Sequence, residues 1–483
     1  VPQALWPALT HHLRTDRINT VKLVIAAVIL LVLIAAVPIT MMVLSTDTVL
    51  TVDPPVKVIG IKTPIHIHAV NPHGVRALTV AVQQDGKTYE TRAAQAPSQH
   101  IFPQRNVAPL DINTTVGKQT APDLHEGKAR VIVSAISNDF RGKTTTDAFD
   151  VDVITAAPRV SADGLEHIIN QGGSELVTFT PTGAWTEAGV KVGDYTFRSF
   201  PLPNKPGEYF SLFGFFWSLP TDTPIYVFAG NPSGAMAKAT FRAKVDAKKF
   251  RKSTIALETM NVDRIVNQID PDHKIPGDTI QRFVYINNEM RKKNNKTLAD
   301  LRFQTAPKFL WSGAFLPMVD STVESRFADD RTYTWQGKKV DEQTHLGFDL
   351  AKLAHSPIPA SNDGKVLWAD DLGIYGNCVV IDHGFGLQSF YGHLSEFLVK
   401  KGDMVKKGQI IGKTGSTGLA GGDHLHFGMQ VDGVQITPVD WWDPHWVKDR
   451  ILSKLGSEMG DAGVDAYAEA VRSHRKERKA KKR

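Results

Sequence analysis

The amino-acid sequence predicts a mostly β, multidomain chain: an N-terminal transmembrane helix, two β-sandwich-like modules, a helical connector and a C-terminal antiparallel β-domain. Three observations carry that expectation. Residues 23–44, LVIAAVILLVLIAAVPITMMVL, run for 22 residues without a charge. The pattern of RVIVSAISNDFRG followed by FDVDV recurs 92 residues later as PIYVFAGNPSG followed by FRAKV. From about residue 306 the chain is built of short apolar runs parted by Gly-rich turns. At 483 residues it is too long for one core, and about 150 residues per domain gives roughly three.

The apolar segment is long enough, as a helix, to cross a hydrocarbon core of about 30 Å. The apolar region of a cleaved signal peptide usually spans only about 7–15 residues. Arg14, Arg17 and Lys22 stand before the segment against one Asp16, whereas Asp47 and Asp53 follow it. The positive-inside bias then leaves residues 1–22 in the cytoplasm. The expectation is a single pass through the cytoplasmic (inner) membrane over 23–44, with everything beyond it extracytoplasmic, on the periplasmic side.

Past this anchor, Asp85-Gly86 parts two alternating runs in LTVAVQQDGKTYETR, the signal of a tight hairpin. Phe149, Val151 and Val153 alternate onto one face, as Phe241, Ala243 and Val245 do later. Two divergent sandwich-like modules at 50–155 and 157–246 account for both, and offer surfaces for protein partners. The period then changes. Val262, Ile265, Val266 and Ile269 follow a helical stripe closed by Pro271, and Ile280, Phe283, Val284 and Met290 a second one. Residues 247–305 are therefore a helical connector, ending in the polar RKKNNKT.

The formal charge of +6 is gathered at the end of the chain. VRSHRKERKAKKR, residues 471–483, holds eight Lys/Arg against one Glu, which leaves about −1 for the rest. No nucleic-acid-binding face is thus implied for the folded body, and 444–483 reads as a helical, basic tail. A single cysteine, Cys378, excludes an intrachain disulfide and any site built from several Cys ligands.

The chemistry gathers in residues 306–443. In GGDHLHFGM, His424 and His426 share one face of a strand while Leu425 and Phe427 take the other. In THLGFDLA, His345, Gly347 and Asp349 alternate with Leu346, Phe348 and Leu350. A straight strand would hold His345 and Asp349 about 13 Å apart; Gly347 permits a bend that brings them together. YGHLS adds His393. Such a set suits zinc, which takes nitrogen and oxygen ligands and keeps one position open at catalytic sites. His345, Asp349 and one of the H-x-H pair would be the ligands. The other, with His393, would remain as unmetallated bases.

HLGFDLA, YGHLSEFLVKKGDMVKKGQIIGKTGSTG and GGDHLHFGM, in that order, resemble the lysostaphin-type (LytM-domain) zinc endopeptidases that cut peptide cross-links in peptidoglycan. The resemblance covers residues 312–440, about a quarter of the chain. It implies a small, mostly antiparallel β metallopeptidase domain with a groove for the peptide substrate. By position it implies Zn2+ on His345, Asp349 and His426, with His393 and His424 as the catalytic histidines. One departure is Ala328 in SRFADDR, where such domains usually carry Gly.

The rival expectation within the same fold is a catalytically inactive LytM-type regulator or scaffold that activates or recruits other cell-wall hydrolases. Against it stands the completeness of all five positions. GQIIGKT has three residues between its glycines where a phosphate-binding loop needs four. If the β-modules are only spacers or wall-binding units, the 306–443 fragment should keep its chemistry alone.

Overall fold

A computed structural model describes residues 7–99, 105–203 and 205–455. The basic tail expected beyond 455, and the start of the expected cytoplasmic segment, lie outside the described residues. The chain divides into two compact units, Val1–Ala157 with Gly230–Met236, and Pro158–Ala229 with Ala237–Arg483.

The first unit opens on α1 (Pro7–Val43). Its Val21–Val43 part has a mean hydropathy of 3.0 and none of it is buried, which makes it a candidate membrane span or signal sequence. Two sheets follow. One joins Val49–Val52, Thr63–Val70 and Leu110–Val116; the other joins Val58–Ile59, Thr144–Val153, Gly127–Ser137, Val75–Gln84 and Lys87–Gln95. Strand alternation turns Ile65 and Ile67 of the first and Val80, Val82, Val131 and Val133 of the second into one buried cluster. Val151 and Val153 join it, with Phe149 packed against them. The hairpin expected at Asp85-Gly86 forms with both residues at positive φ and Gln84 opposite Lys87, the geometry of a two-residue primed turn.

In the second unit, Ser174–Thr182 pairs with Tyr209–Gly214 on one side and Arg159–Ala162 on the other. Glu166–Asn170 runs parallel to Arg242–Asp246. The core of these strands does not close on itself. Phe210 stacks on Phe309 and meets Phe385 edge-on. Trp441 is fully buried and donates from Nε1 to Ser174 Oγ at 3.0 Å. Asp432 pairs with Arg198, and buried Lys454 with buried Glu175. One apolar cluster runs from Val177 and Phe213 through Trp311 and Phe315 to Val431 and Trp441. Large aromatics bury about 150–250 Å² each, so at about 25 cal/mol per Å² each contributes several kcal/mol that needs both halves. Residues 306–443 thus share a core with strands that precede them.

The connector is helical: α2 (Val262–Ile269), α3 (Thr279–Tyr285) and α4 (Arg291–Asp300). Asn261 caps α2 by accepting from the Arg264 N–H, and Asp278 and Gln281 cap α3 reciprocally. Val262, Ile265, Val266 and Phe283 are buried, as their spacing requires. The polar RKKNNKT, expected to end the helices, itself forms most of α4.

The strands around the site are β1 (Lys252–Ala256), β2 (Thr322–Ser325), β3 (Asp329–Trp335), β4 (Lys338–His345), β5 (Phe348–Ala351), β6 (Gly364–Asp371), β7 (Asn377–Gly384), β8 (Leu387–Gly392), β9 (Met404–Val405), β10 (Leu425–Val431) and β11 (Val434–Ile436). They form an eight-stranded sheet in the order β2-β5-β10-β8-β7-β6-β9, with β11 on β10, beside a three-stranded sheet β1-β3-β4. Cys378 lies fully buried in β7, where desolvation pushes its thiol pKa up.

Candidate metal centre and its cleft

Antiparallel register assembles the site. Asp349 of β5 lies opposite His426 of β10, and Gly392 of β8 lies opposite His426 on its other side. His393, one residue beyond β8, therefore arrives beside them. His345 ends β4, and the chain turns through Leu346-Gly347 from the small sheet into the large one. That is the bend expected at Gly347. A Cβ there would come within 2.6 Å of Cε1 and Nε2 of His426. His424 is bridged to Gly415 just before β10. All five expected site residues line one cleft of about 390 Å³.

His345, Asp349 and His426 form a buried group that could hold a metal ion. His345 Nε2 is 2.9 Å from His426 Nδ1 and 2.9 Å from Asp349 Oδ1, and His426 Nδ1 is 3.1 Å from the same oxygen. His345 Nδ1 faces the Arg326 carbonyl at 3.1 Å, so a neutral ring donating there turns a lone pair inward at Nε2. The second oxygen of Asp349 accepts from Arg331 at 2.7 Å.

His393 and His424 stand beside this group, their ring centroids 4.8 Å apart. Each is oriented through Nδ1, His393 by the Thr417 carbonyl at 2.7 Å and His424 by the Gly422 carbonyl at 3.0 Å. In a neutral ring His393 Nε2 is thus an acceptor, whereas His424 Nε2 lies 3.5 Å from Asp349 Oδ1. His393 holds a φ of 67°, a conformation rare outside glycine, with its N–H bonded to the Tyr375 carbonyl at 2.8 Å.

Electrostatics separates the five. Burial favours a charged Asp349 least, yet the charge of His345 and bonds from the three neighbouring histidines hold it well below the usual carboxylate range. Burial lowers His345, and lowers His426 to about 4. It also lowers His393 strongly, helped by the charges of His424 and His426. His424 is raised: burial opposes this, but its bond to Asp349 and the charge of that carboxylate prevail.

Sequence reasoning missed Arg331. It sits on β3, with no spacing that ties it to HLGFD. It also missed the cleft wall supplied by the connector, where Met260, Phe283 and Arg291 line the cavity. Ala328, the departure from the usual Gly, is fully buried at a φ of 60°, the left-handed conformation that glycine favours. His383 is a structural histidine, buried between the Asp363 carbonyl and Ser389 Oγ.

Residues 343–438 match the Peptidase family M23. The chain is similar to the DD-carboxypeptidase/endopeptidase Mpg of Neisseria meningitidis serogroup B, 35% identical over 126 residues, which cover 26% of this chain and 27% of that protein. It is similar to the peptidoglycan DD-endopeptidase ShyA of Vibrio cholerae, 44% identical over 89 residues, covering 18% of this chain and 21% of the relative. It is also similar to the stage II sporulation protein Q of Bacillus subtilis, 37% identical over 143 residues, covering 26% of this chain and 50% of that protein. The match thus spans about a quarter of the length of the first two relatives and half of the third.

Proposed function

We propose that this chain, which carries a peptidase family M23 domain of the LytM type, is a zinc-dependent endopeptidase that hydrolyses peptide cross-links of peptidoglycan. In this reading α1 anchors it in the cytoplasmic membrane with the peptidase domain on the extracytoplasmic side. The carrying observation is the triangle of His345 Nε2, Asp349 Oδ1 and His426 Nδ1, with sides of 2.9 to 3.1 Å. Tetrahedral zinc with bonds of about 2.0–2.1 Å places its ligands roughly 3.3 Å apart. Three acceptor atoms facing one point at that spacing fit a small cation.

Zinc bound there supplies Lewis acidity towards a scissile carbonyl and a more acidic water. The protein's own residues do the rest. Arg331 holds one oxygen of Asp349 and leaves the other turned inward. His393 and His424, fixed through Nδ1, each offer Nε2 towards the cleft. One accepts a proton from the attacking water as its oxygen bonds to the carbonyl carbon. The other hydrogen-bonds the developing oxyanion or protonates the departing amine. The names of the Neisseria and Vibrio relatives support a peptide cross-link as the substrate.

One observation favours a second reading. The Bacillus relative is named for a sporulation stage and not for a hydrolytic activity, which leaves a regulator or scaffold as the second reading. The full set of five site residues supports the enzyme. The test is to digest purified peptidoglycan with the detergent-solubilised full chain and identify released muropeptides by mass. Cleaved cross-links, lost on chelation and restored by zinc, are expected. An intact sacculus with zinc-loaded protein would leave the scaffold. A reporter fused after residue 60 should be active only outside the cytoplasm.

A further inference from the structure

The cleft has a wall that lies outside the matched residues 343–438. β1 and the connector contribute Arg251, Ile255, Met260, Phe283 and Arg291 to its lining. Three arginines face the cavity, and two are committed to carboxylates. Arg331 holds Asp349 at 2.7 Å, and Arg251 reaches Asp329 at 3.8 Å. Arg291 differs. Its Nε and one terminal nitrogen donate to the carbonyl and the side-chain oxygen of Asn287, one turn earlier. No carboxylate among the described residues lies within 4.0 Å of it. These bonds fix the plane of the guanidinium while leaving its charge uncompensated and its second terminal nitrogen open.

The helix that Arg291 begins is held rigidly against the metal centre. Tyr375, whose ring centroid is 5.5 Å from that of His426, donates its hydroxyl to Asn295 of α4 at 2.8 Å. Asn294 accepts from the Ile374 N–H at 2.9 Å, and Asn287 and Asn288 donate to Asp341 on β4 at 2.6 and 2.9 Å. A half-buried cation, fixed in orientation and facing a cleft, is built to pair with an anion arriving from outside.

We infer that Arg291 is a substrate-binding residue that pairs with a free carboxylate of the cross-linked peptide and selects acidic over amidated substrates. The inference rests on the peptidase reading above. Selection is then carried by the connector, on a different segment from the metal ligands.

The test uses the solubilised full chain and two cross-linked muropeptides that differ only in amidation of their free carboxyl groups. Wild-type protein should prefer the acidic peptide by about 10- to 100-fold in kcat/KM, the range of a charge-assisted hydrogen bond. Arg291→Gln should lose that preference through KM, with kcat and bound zinc nearly unchanged. Arg291→Lys, which keeps the charge but not the paired bonds to Asn287, should recover part of it. An Arg291→Gln protein that is folded and still discriminates as strongly as wild type would overturn the inference, as would Arg291→Lys and Arg291→Gln losing rate equally on both peptides. If wild type cleaves neither peptide, the peptidase reading itself fails and takes this inference with it.

Discussion

His345 Nε2 and His426 Nδ1 face each other across 2.9 Å, and the same oxygen of Asp349 lies 2.9 Å from one and 3.1 Å from the other. Lone pairs at that spacing repel unless a cation or a shared proton lies between them. The consequences differ for each histidine of the cleft.

Replacing His345 or His426 by alanine removes one of three donors, so zinc content should fall well below one equivalent and activity with it. His393→Ala and His424→Ala leave the triangle intact. They should keep zinc near one equivalent while turnover drops by about two to four orders of magnitude, the usual contribution of a positioned acid or base. Elemental analysis paired with muropeptide hydrolysis separates the two groups. A zinc-free His424→Ala beside a zinc-loaded His426→Ala would reverse the division of labour.

Arg331 acts through Asp349. Its 2.7 Å bond occupies Oδ2 and keeps Oδ1 directed at the two imidazoles. Arg331→Ala should weaken zinc binding by about 10- to 100-fold, as loss of a ligand-orienting group commonly does. Arg331→Lys should restore part of the affinity, measured by competition with a chromophoric chelator. Unchanged affinity in the alanine variant would show that the carboxylate needs no such support.

The shared core makes a prediction about truncation. A 158–455 protein should unfold in one cooperative transition, whereas 306–443 exposes Phe309, Phe385 and Trp311 and lacks the Trp441–Ser174 hydrogen bond as well as the Arg198–Asp432 pair. The shorter fragment should bind a hydrophobic dye and aggregate. A monomeric 306–443 with full zinc affinity would contradict the continuity of the core.

Asp440 provides a pH signature. It is buried with Oδ2 unpartnered, and desolvation raises its pKa from 3.8 to about 6. Because the folded pKa exceeds the unfolded one, the native state binds more protons between about pH 4 and 6, and stability falls as pH rises through that window. At neutral pH the loss is complete, on the order of 2–3 kcal/mol as an upper bound. Asp440→Asn should therefore be more stable than wild type at pH 7.5 and show a flatter profile from pH 4 to 6. Coincident denaturation curves at pH 7.5 would rule out this account.

The shared face of His424 and His426 and the bend at Gly347 were legible because strand alternation is a local property, whereas His393, one residue past its strand, was marked only by the YGHLS segment. His424 and His426 share a face in any strand, and Gly347 marked the turn that the His345–Asp349 pair required. Arg331 was not legible. Its partner is 18 residues away on another sheet, and nothing in DDRTYTW sets it apart from a solvated strand. The stripes of α2 and α3 were read correctly, but periodicity tells which face is buried and not what it is buried against. The connector's place as a cleft wall, and Arg291 within it, therefore needed coordinates. So did the shared core, because the Phe210–Phe309–Phe385 cluster joins residues that are each unremarkable apolar positions in their own segments.

Cys378 has no exposed surface, and burial pushes its thiol pKa up, away from the reactive thiolate. Towards maleimides and methanethiosulfonates the native chain should behave as if it had no cysteine. A thiol introduced at an exposed position such as Leu353, which is 82% exposed, would be the single attachment point for a spin label or fluorophore. The wild-type background can thus report distances to a bound paramagnetic ion without first being stripped of its own sulfhydryl.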